Sequence, residues 1–570
     1  MIPAEKLGLN IEDLRAVERY WRDIFPIFAR RCAQRILLVT DGGLNYNPAS
    51  GFGLSRFVAE LMQMSPTPTI TKAHRRTDPT ADRQNFVFNN TITTTNFDQI
   101  WLFGIESNPV LTNAEFSVLA NFMNAGGGLF ATGDHQTLGF AMGGELPRVR
   151  KMRDWSSIPM FTDRIDTVTN PGPDRITQFD DQSDEIPQRI FPHFYGSGSS
   201  WSPHPLLRSP LGPIDVMPDH PHESVCLVGP TLNAPYNLHG LNFVEFPNFN
   251  GAPLSPEIIA TSMSAGRYLN PPGAVVGKPP TTPRCFGSIS VWDGYKVARG
   301  RIVCDSTWHH FVNVNLDGTG AVPAPGNNRR GLRNAALVFT QDFHQIAEYY
   351  RNIADWITPS NRRWCIFWIY LLIERYRFPL IEEWFPLPPH PCPWDPRVRL
   401  GTLVEDALRI NRGLGFAEEI VTAALEDAKL EDLASLVRPE RAETLARSAN
   451  RTHNLINQDE LRRGVLGSIF DALVRDLPAS PFDLTKAFER NGHDDEKLHR
   501  VVTEAAGSAI DAAKEYYAES IRRTNTFMER ATATRAGNVA VVTAAPTTPK
   551  KAGSKAKASK QGASKTKRSK

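Results

Sequence analysis

The residues of this sequence that could do chemistry are carboxylates and histidines that follow short apolar runs. They are Asp41 after RILLVT, Asp134 and His135 after LFATG, and Asp305, His309 and His310 in the stretch GRIVCDSTWHH. Imidazole and carboxyl groups transfer protons near neutral pH when they lie within hydrogen-bonding reach of a substrate. We therefore predict a hydrolytic acid–base site. Its predicted catalytic residues are Asp134, His135 and His309, and its predicted substrate-binding residues are Asp41, Asp305 and His310.

A second polar cluster, in the stretch PDHPHE, could bind a metal ion. Its members His220, His222 and Glu223 offer imidazole and carboxylate groups, which are the ligands of zinc and similar divalent ions. A bound ion would lower the pKa of its water and supply a nucleophile near neutral pH. We predict these three residues as metal ligands, with zinc as the candidate ion, although the sequence contains no fixed-spacing motif such as H-E-x-x-H.

Each of these residues also has a purely structural interpretation. Asp41 precedes two glycines and could hold a turn, and Asp134 could cap the helix after its strand. His309 and His310 are adjacent, so on a regular element their side chains would point in different directions. PDHPHE could be no more than a polar loop. The sequence leaves both interpretations open for every residue of the two clusters.

The elements that must position these groups are clearest around Asp134. Thr112 and Glu115 form an S/T-x-x-E capping box at the start of a predicted helix. Apolar residues within 116–123 then recur at i, i+3, i+4 and i+7, which indicates one buried helical face. Three glycines at 126–128 end the helix, and the apolar residues 129–132 predict a strand buried on both faces. Asp134 is thereby predicted to lie at the carboxyl end of that strand, where open α/β sheets bind ligands.

Strand-like and helix-like segments alternate over the first half of the chain. The further predicted strands are residues 35–40, 69–73, 100–104, 288–292 and 300–305. Such alternation predicts an α/β fold with a parallel sheet, and right-handed crossovers place helices on both of its faces. Between about 145 and 283 the pattern dissolves into Pro, Gly, His and Asp, which we interpret as a large irregular insertion folded over the carboxyl edge of the sheet.

The rest of the chain differs in composition. Residues 361–397 include a run rich in proline, and residues from 399 onward carry Ala, Leu, Glu and Arg at helical spacing. The predicted organisation is an N-terminal helix at 1–30, an α/β domain at 31–360, a Pro-rich connector at 361–397, a helical domain at 398–530 and a disordered Lys-rich tail at 531–570.

Cysteine usage and hydropathy bear on location. The six cysteines are scattered and include no C-x-x-C pair, which argues against a zinc ribbon or a disulfide framework and favours a reducing cytosol. The N-terminus shows no secretory pattern. The most apolar run, residues 364–373, is half the ~20 residues needed to span a bilayer, so a buried helix or strand is the better interpretation. We predict a cytoplasmic protein that does not contact membranes.

The charge is distributed unevenly. Residues 546–570 carry eight Lys, one Arg and no acidic residue, so the net charge of +3 hides a mildly acidic body. The tail could bind nucleic-acid phosphates without sequence preference, or it could be a solubilising terminus. Both interpretations stay open, and no base-reading module is recognisable in the body.

Two stretches resemble a known family. The helix, Gly-Gly-Gly turn, buried strand and histidine around His135 resemble the central strand of trehalose-utilisation (ThuA-like) proteins. The stretch GRIVCDSTWH resembles that family's pattern of Gly-Arg, a buried strand, a Ser and a histidine, here His309, nine residues after Gly300. The resemblance covers roughly residues 35–315. It implies the class I glutamine amidotransferase-like fold, which is a flavodoxin-like layered α/β sheet, and a carbohydrate-like substrate.

The chain departs from the amidotransferase pattern at the nucleophile. Residues 133–136, where the strand-to-helix elbow is expected, contain neither Cys nor Ser. A Cys-dependent glutaminase is therefore excluded by the absence of its nucleophile. The function hypothesis is a hydrolase acting on a small polar or carbohydrate-like substrate, with metal assistance as one route. The alternative is a non-catalytic binding or scaffold protein that retains the fold, and convergence of the candidate residues in one pocket would favour the enzyme.

Overall fold

The computed structural model describes most of the chain, and the features below are those of the described residues. These are residues 30–134, 137–155, 187–197, 200–219, 226–228, 232–264, 284–320, 330–376, 394–412, 414–437, 457–475 and 495–543. Several predictions fall outside them, namely the N-terminal helix over residues 1–29, the site residues His135, His220, His222 and Glu223, and the basic residues 546–570.

A nine-stranded sheet forms the centre of the fold. Its strands are β1 (Arg35–Thr40), β2 (Thr69–His74), β3 (Gln99–Phe103), β4 (Gly128–Thr132), β5 (Gln188–Pro192), β6 (Val216–Met217), β7 (Glu257–Ser264), β8 (Arg284–Trp292) and β9 (Ile302–Asp305). Their spatial order is β6-β5-β7-β8-β9-β4-β3-β1-β2. The strands predicted around Asp41, Asp134 and Asp305 are confirmed as β1, β4 and β9.

Helices flank the sheet and dominate the C-terminal part of the described chain. They are α1 (Ser55–Leu61), α2 (Asn113–Asn124), α3 (Phe140–Gly143), α4 (Val149–Met152), α5 (Asn313–Asp317), α6 (Gln341–Trp356), α7 (Ser360–Tyr376), α8 (Trp394–Arg412), α9 (Leu414–Asp427), α10 (Glu431–Val437), α11 (Gln458–Arg475) and α12 (Asp495–Thr543). The α/β class and the helical C-terminal region predicted from the sequence are therefore confirmed.

The sheet is mixed, which corrects the prediction of a parallel sheet. Strands β2, β1, β3, β4 and β9 pair in parallel. Strands β8, β7, β5 and β6 continue the sheet beyond β9 in antiparallel pairs. Most of this antiparallel half comes from the predicted insertion at 145–283, so that segment extends the sheet sideways instead of only covering its carboxyl edge. Its short hairpins carry few periodic apolar residues, which is why the sequence pattern missed them.

The parallel strands are buried on both faces because their side chains alternate between two cores. On one face Trp101 contacts Phe57 of α1 and Phe130 of β4, with ring centroids 5.3 and 4.7 Å apart. On the other face Leu102 and Leu129 belong to the core that includes the apolar side of α2. Helix α2 begins as predicted, with the Thr112–Glu115 capping box. Helices therefore cover both faces of the parallel half.

The predicted connector at 361–397 is helical at both of its described ends. Helix α7 contains the apolar run at 364–373, with Ile366 and Phe367 buried, and helix α8 begins at Trp394. Helix α7 also carries an unexpected disulfide between Cys32 and Cys365. This bond corrects the expectation of an all-thiol chain. The two cysteines are 333 residues apart in sequence, so their spacing could not reveal the pair.

The chain divides into two compact units, Met1–Ala513 and Lys514–Lys570. Described residues of the second unit continue helix α12 to Thr543, beyond residue 531, where the sequence predicts the tail to begin. Their side chains from 520 to 533 are exposed. Among the helices described here, none is long and apolar enough to cross a membrane.

Candidate active site

Asp134 lies at the carboxyl end of β4, between the parallel neighbours β3 and β9, as predicted. Its backbone N–H donates to the carbonyl of Leu138 at 3.1 Å and closes a tight turn. Glycine is required at position 133 because a Cβ atom there would lie 2.2 Å from that same carbonyl oxygen. His135 follows Asp134 directly but lies outside the described residues, so its predicted approach to His309 stays a prediction.

The loop after β9 brings His309 to Asp134. The Thr307 hydroxyl donates to Asp134 Oδ1 at 2.9 Å and accepts the N–H of His309 at 3.1 Å. His309 Nε2 then lies 3.6 Å from Asp134 Oδ2. This confirms that the ends of β4 and β9 bring predicted catalytic groups together, as neighbouring parallel strands must.

A second carboxylate, which the sequence analysis did not single out, completes the cluster. Asp219 Oδ2 lies 3.5 Å from His309 Nδ1, and Asn315 Oδ1 lies 3.1 Å from the same nitrogen. The Asn315 oxygen can only accept, so this contact orients the ring when Nδ1 carries a proton. Asp219 precedes the predicted metal ligands by one residue, so PDHPHE was the available signal for its importance.

His309 is also held by aromatic packing near the surface. Its ring stacks on Trp308 with centroids 4.1 Å apart, and Trp308 meets the edge of Phe52 at 5.4 Å. Phe52 is 44% exposed, whereas Trp308 is only 3% exposed. The aromatic row therefore runs from solvent to His309, which is itself 6% exposed.

His310 and Asp305, the predicted substrate-binding residues beside this cluster, are buried, at 0% exposure. His310 Nδ1 lies 2.7 Å from Asp305 Oδ1, and its Nε2 donates to the carbonyl of Asp219 at 2.9 Å. The Tyr349 hydroxyl donates to Asp305 Oδ2 at 2.8 Å. Because these atoms bind one another inside the protein, the pair braces the Asp219 segment.

Asp41 lies at the carboxyl end of β1 and joins two loops. Its Oδ1 accepts the N–H groups of Ile105 and Glu106, at 2.6 and 3.1 Å. Burial raises the pKa of Asp41 to about 7, although those two hydrogen bonds lower it. β3 separates β1 from β4, so Asp41 stands apart from the pair formed by Asp134 and His309. The structural interpretation of this residue therefore has direct support.

Arg153 is a second residue that the sequence analysis missed. Its guanidinium donates to the carbonyl of Asp134 at 2.6 Å and to that of Ser306 at 2.9 Å. It stacks on Trp155 at 4.4 Å and is fully buried, and this burial lowers its pKa. Arg153 thus ties the loop after β4 to the loop after β9. No local pattern marks it, because its partners are main-chain atoms.

The free cysteines near this edge are not activated nucleophiles. Cys226 and Cys304 are buried, and the Cys226 thiol contacts the Cys304 carbonyl at 3.2 Å. Burial raises the pKa of Cys226 to about 12 and that of Cys304 well above its ordinary value. A thiol in this state carries almost no thiolate at neutral pH.

The metal prediction finds no support within the described residues. In that part of the chain, no group of three or more His, Cys, Asp or Glu residues could hold a metal ion. The predicted ligands His220, His222 and Glu223 lie outside it.

No protein-family model matches the chain, and the search of curated proteins found no match.

Proposed function

We propose that the protein is a hydrolase acting on a small polar substrate at the carboxyl edge of β4 and β9. The observation that carries the proposal is the position of the His309 ring between the carboxylates of Asp134 and Asp219, at 3.6 and 3.5 Å. A histidine flanked by acids can accept a proton and then return it as an imidazolium.

His309 is the proposed general base. Its Nε2 accepts a proton from a water molecule as that water attacks the substrate, and the new imidazolium is stabilised by Asp134 and Asp219. The 3.6 Å between His309 Nε2 and Asp134 Oδ2 exceeds a hydrogen bond, and a bridging water or substrate hydroxyl suits such a gap. Thr307 orients Asp134, and Asn315 orients the ring. His309 then returns the proton to the leaving group.

The order of the parallel strands supports the predicted flavodoxin-like relationship. The order β2-β1-β3-β4-β9 corresponds to the 2-1-3-4-5 order of that architecture. Membership of the ThuA-like family and a carbohydrate-like substrate are part of the proposal, supported by the motif around Gly300 and His309.

A divalent ion bound by His220, His222 and Glu223 and nucleic-acid contact through the tail stay predictions. A cytoplasmic location does too, although the Cys32–Cys365 disulfide is more typical of an oxidising compartment.

The alternative is a non-catalytic binding or scaffold protein. The burial of His310, Asp305 and Tyr349 favours it, since much of the polar network at this edge is structural. The two functions differ in what they require of His309. A scaffold needs only its packing, whereas the hydrolase needs its proton transfer.

The test is a panel of chromogenic esters, glycosides, amides and phosphate esters, assayed with the full chain and with two variants. We expect His309→Gln and Asp134→Asn to lower turnover of any accepted substrate by about 10²–10⁴-fold, the range of general acid–base catalysis. Thermal unfolding should show both variants folded. Elemental analysis and assays with and without EDTA decide whether a metal ion takes part.

His344→Gln is the matched control, since His344 is an exposed histidine on α6. It should leave turnover unchanged. An active wild type whose turnover survives His309→Gln would remove the proposed mechanism, and inactivity across the panel would favour the scaffold.

A further inference from the structure

The later part of helix α12, residues 514–533, exposes large apolar side chains to water. Phe527 is 68% exposed, Met528 is 57% exposed and Ile521 is 46% exposed. Every side chain described from 520 to 533 is exposed as well. Contact of apolar surface with water is unfavourable, and an exposed apolar patch marks an interaction site when its residues share one face.

The spacing of the residues shows that they do share a face. Spacings of four and three residues alternate through five positions, which are Tyr517, Ile521, Thr524, Met528 and Ala531. None of the five is charged, and the charged residues of 514–533 all lie at other positions of the helix. This alternation is the repeat of a helix that packs along a second helix. We call these five positions the seam.

The same face of α12 is buried earlier in the helix. Ala506 and Ala513 are buried, and they precede Thr524 and Ala531 by 18 residues in each case. At 3.6 residues per turn, this separation is about five full turns, so the residues lie on the same side of the helix. The face that packs against protein at 506 and 513 is therefore the face that is exposed from 520 onward.

The charges beside the seam indicate which kind of partner fits. Residues 514–533 contain four basic and three acidic residues, so the two signs are nearly balanced. A helix that lies on a membrane surface or on nucleic acid carries an excess of Lys and Arg instead. Balanced charges around an apolar seam suit a protein partner. A second copy of α12 offers the same spacing and the same balance, and a two-fold axis places seam on seam.

We propose that two copies of this chain associate through residues 514–533 of α12. The two seams pack on one another, and Met528 and Ile521 become shielded from water. The stretch is about 30 Å long, so pairing buries on the order of 1,000 Å² in total, at the lower limit of specific interfaces. The dimer therefore forms reversibly and depends on protein concentration.

The experiment is sedimentation equilibrium of the full chain over a wide range of concentrations. We expect the average mass to rise from 63.5 kDa towards twice that value. Met528→Glu places a charge in the seam of each copy and should raise the dissociation constant by about tenfold or more. Because Met528 is exposed, circular dichroism and thermal unfolding should show an unchanged monomer.

Thr526→Glu is the matched control, since it adds the same charge to an exposed position outside the seam. It should leave the dissociation constant unchanged. A chain that stays monomeric at every concentration would overturn the proposal, and so would a dimer that survives Met528→Glu. Co-sedimentation with phosphatidylcholine–phosphatidylserine vesicles tests the competing partner. Vesicle binding that Met528→Glu abolishes would assign the seam to a membrane surface and overturn the proposal.

Discussion

The two edges of the central sheet use buried charge in opposite ways. At the amino edge Glu419 lies 2.5 Å from both Arg301 and Arg363, and Arg301 also binds Asp293. At the carboxyl edge the carboxylates of Asp134, Asp219 and Asp305 cluster with two histidines. The nearby guanidinium of Arg153 gives its hydrogen bonds to main-chain carbonyls.

This difference separates buried charges that hold elements of the fold together from charges that can take part in proton transfer. Opposite charges that neutralise one another inside a protein fix the packing of elements, here α7 and α9 against the start of β9. At the carboxyl edge, three carboxylates face one buried guanidinium, that of Arg153, so negative charge is in excess unless protons are added. Such clusters are characteristic of sites that bind and transfer protons. The comparison therefore predicts that amino-edge substitutions cost stability and that carboxyl-edge substitutions at His309 cost activity.

The largest effect is expected at Glu419. Glu419→Gln leaves Arg301 and Arg363 buried without their shared carboxylate, which should lower the free energy of unfolding by about 3–5 kcal/mol. Chemical denaturation measures this change. Glu519→Gln is the matched control, because Glu519 pairs with Arg522 and Arg523 on an exposed helix surface and should change nothing measurable. Equal effects of the two substitutions would remove the distinction between buried and exposed pairs.

The second-largest loss of stability is expected when the disulfide between Cys32 and Cys365 is removed. Cys32 precedes β1 and Cys365 lies in α7, so the bond joins elements at the amino edge. Cys32→Ser should lower the free energy of unfolding by about 2–4 kcal/mol, because the unfolded chain gains freedom. Denaturation of the wild type with a reducing agent should give the same curve as the variant without it. An unchanged wild-type curve after verified reduction contradicts the prediction.

Substitutions of the two adjacent histidines should differ in their effect, with one lowering stability and the other lowering activity. His310→Phe removes two buried hydrogen bonds and should cost about 1–3 kcal/mol, since the main-chain carbonyl of Asp219 and the Asp305 carboxylate each lose one donor. His309→Gln should cost less stability than His310→Phe and yet lower turnover by about 10²–10⁴-fold. Thermal unfolding and the substrate panel together check this pair. The reverse pattern would assign the chemistry to His310.

The smallest effect is a pH dependence at Asp41. Its pKa is raised from 3.8 to about 7 in the folded protein, so the folded state binds the proton more tightly than the unfolded state. Stability from this group is therefore lost as the pH rises from about 4 through 7. Between pH 6 and 8 the wild type should lose roughly 1 kcal/mol that Asp41→Asn does not lose. Parallel curves for the two proteins over this range would show that Asp41 does not titrate there.

The sequence by itself determined the parallel strands, the capped helix α2 and the place of Asp134. These features depend on local patterns: a buried parallel strand is a continuous apolar run, and a capping box needs only Thr112 and Glu115. The loop carrying His309 was also predictable, because it follows such a strand directly. Helical spacing likewise revealed the C-terminal helices.

Only the tertiary structure decided which polar residues share a site. Asp219 and Arg153 reach His309 and Asp134 from the irregular segments beyond β4, and no periodic pattern records such long-range contacts. Cys32 and Cys365 meet for the same reason. Packing likewise gave the adjacent His309 and His310 different partners, because the residues that meet a loop come from distant parts of the chain and not from the loop's own sequence. The chemistry of each group is local, but its surroundings come from the whole chain.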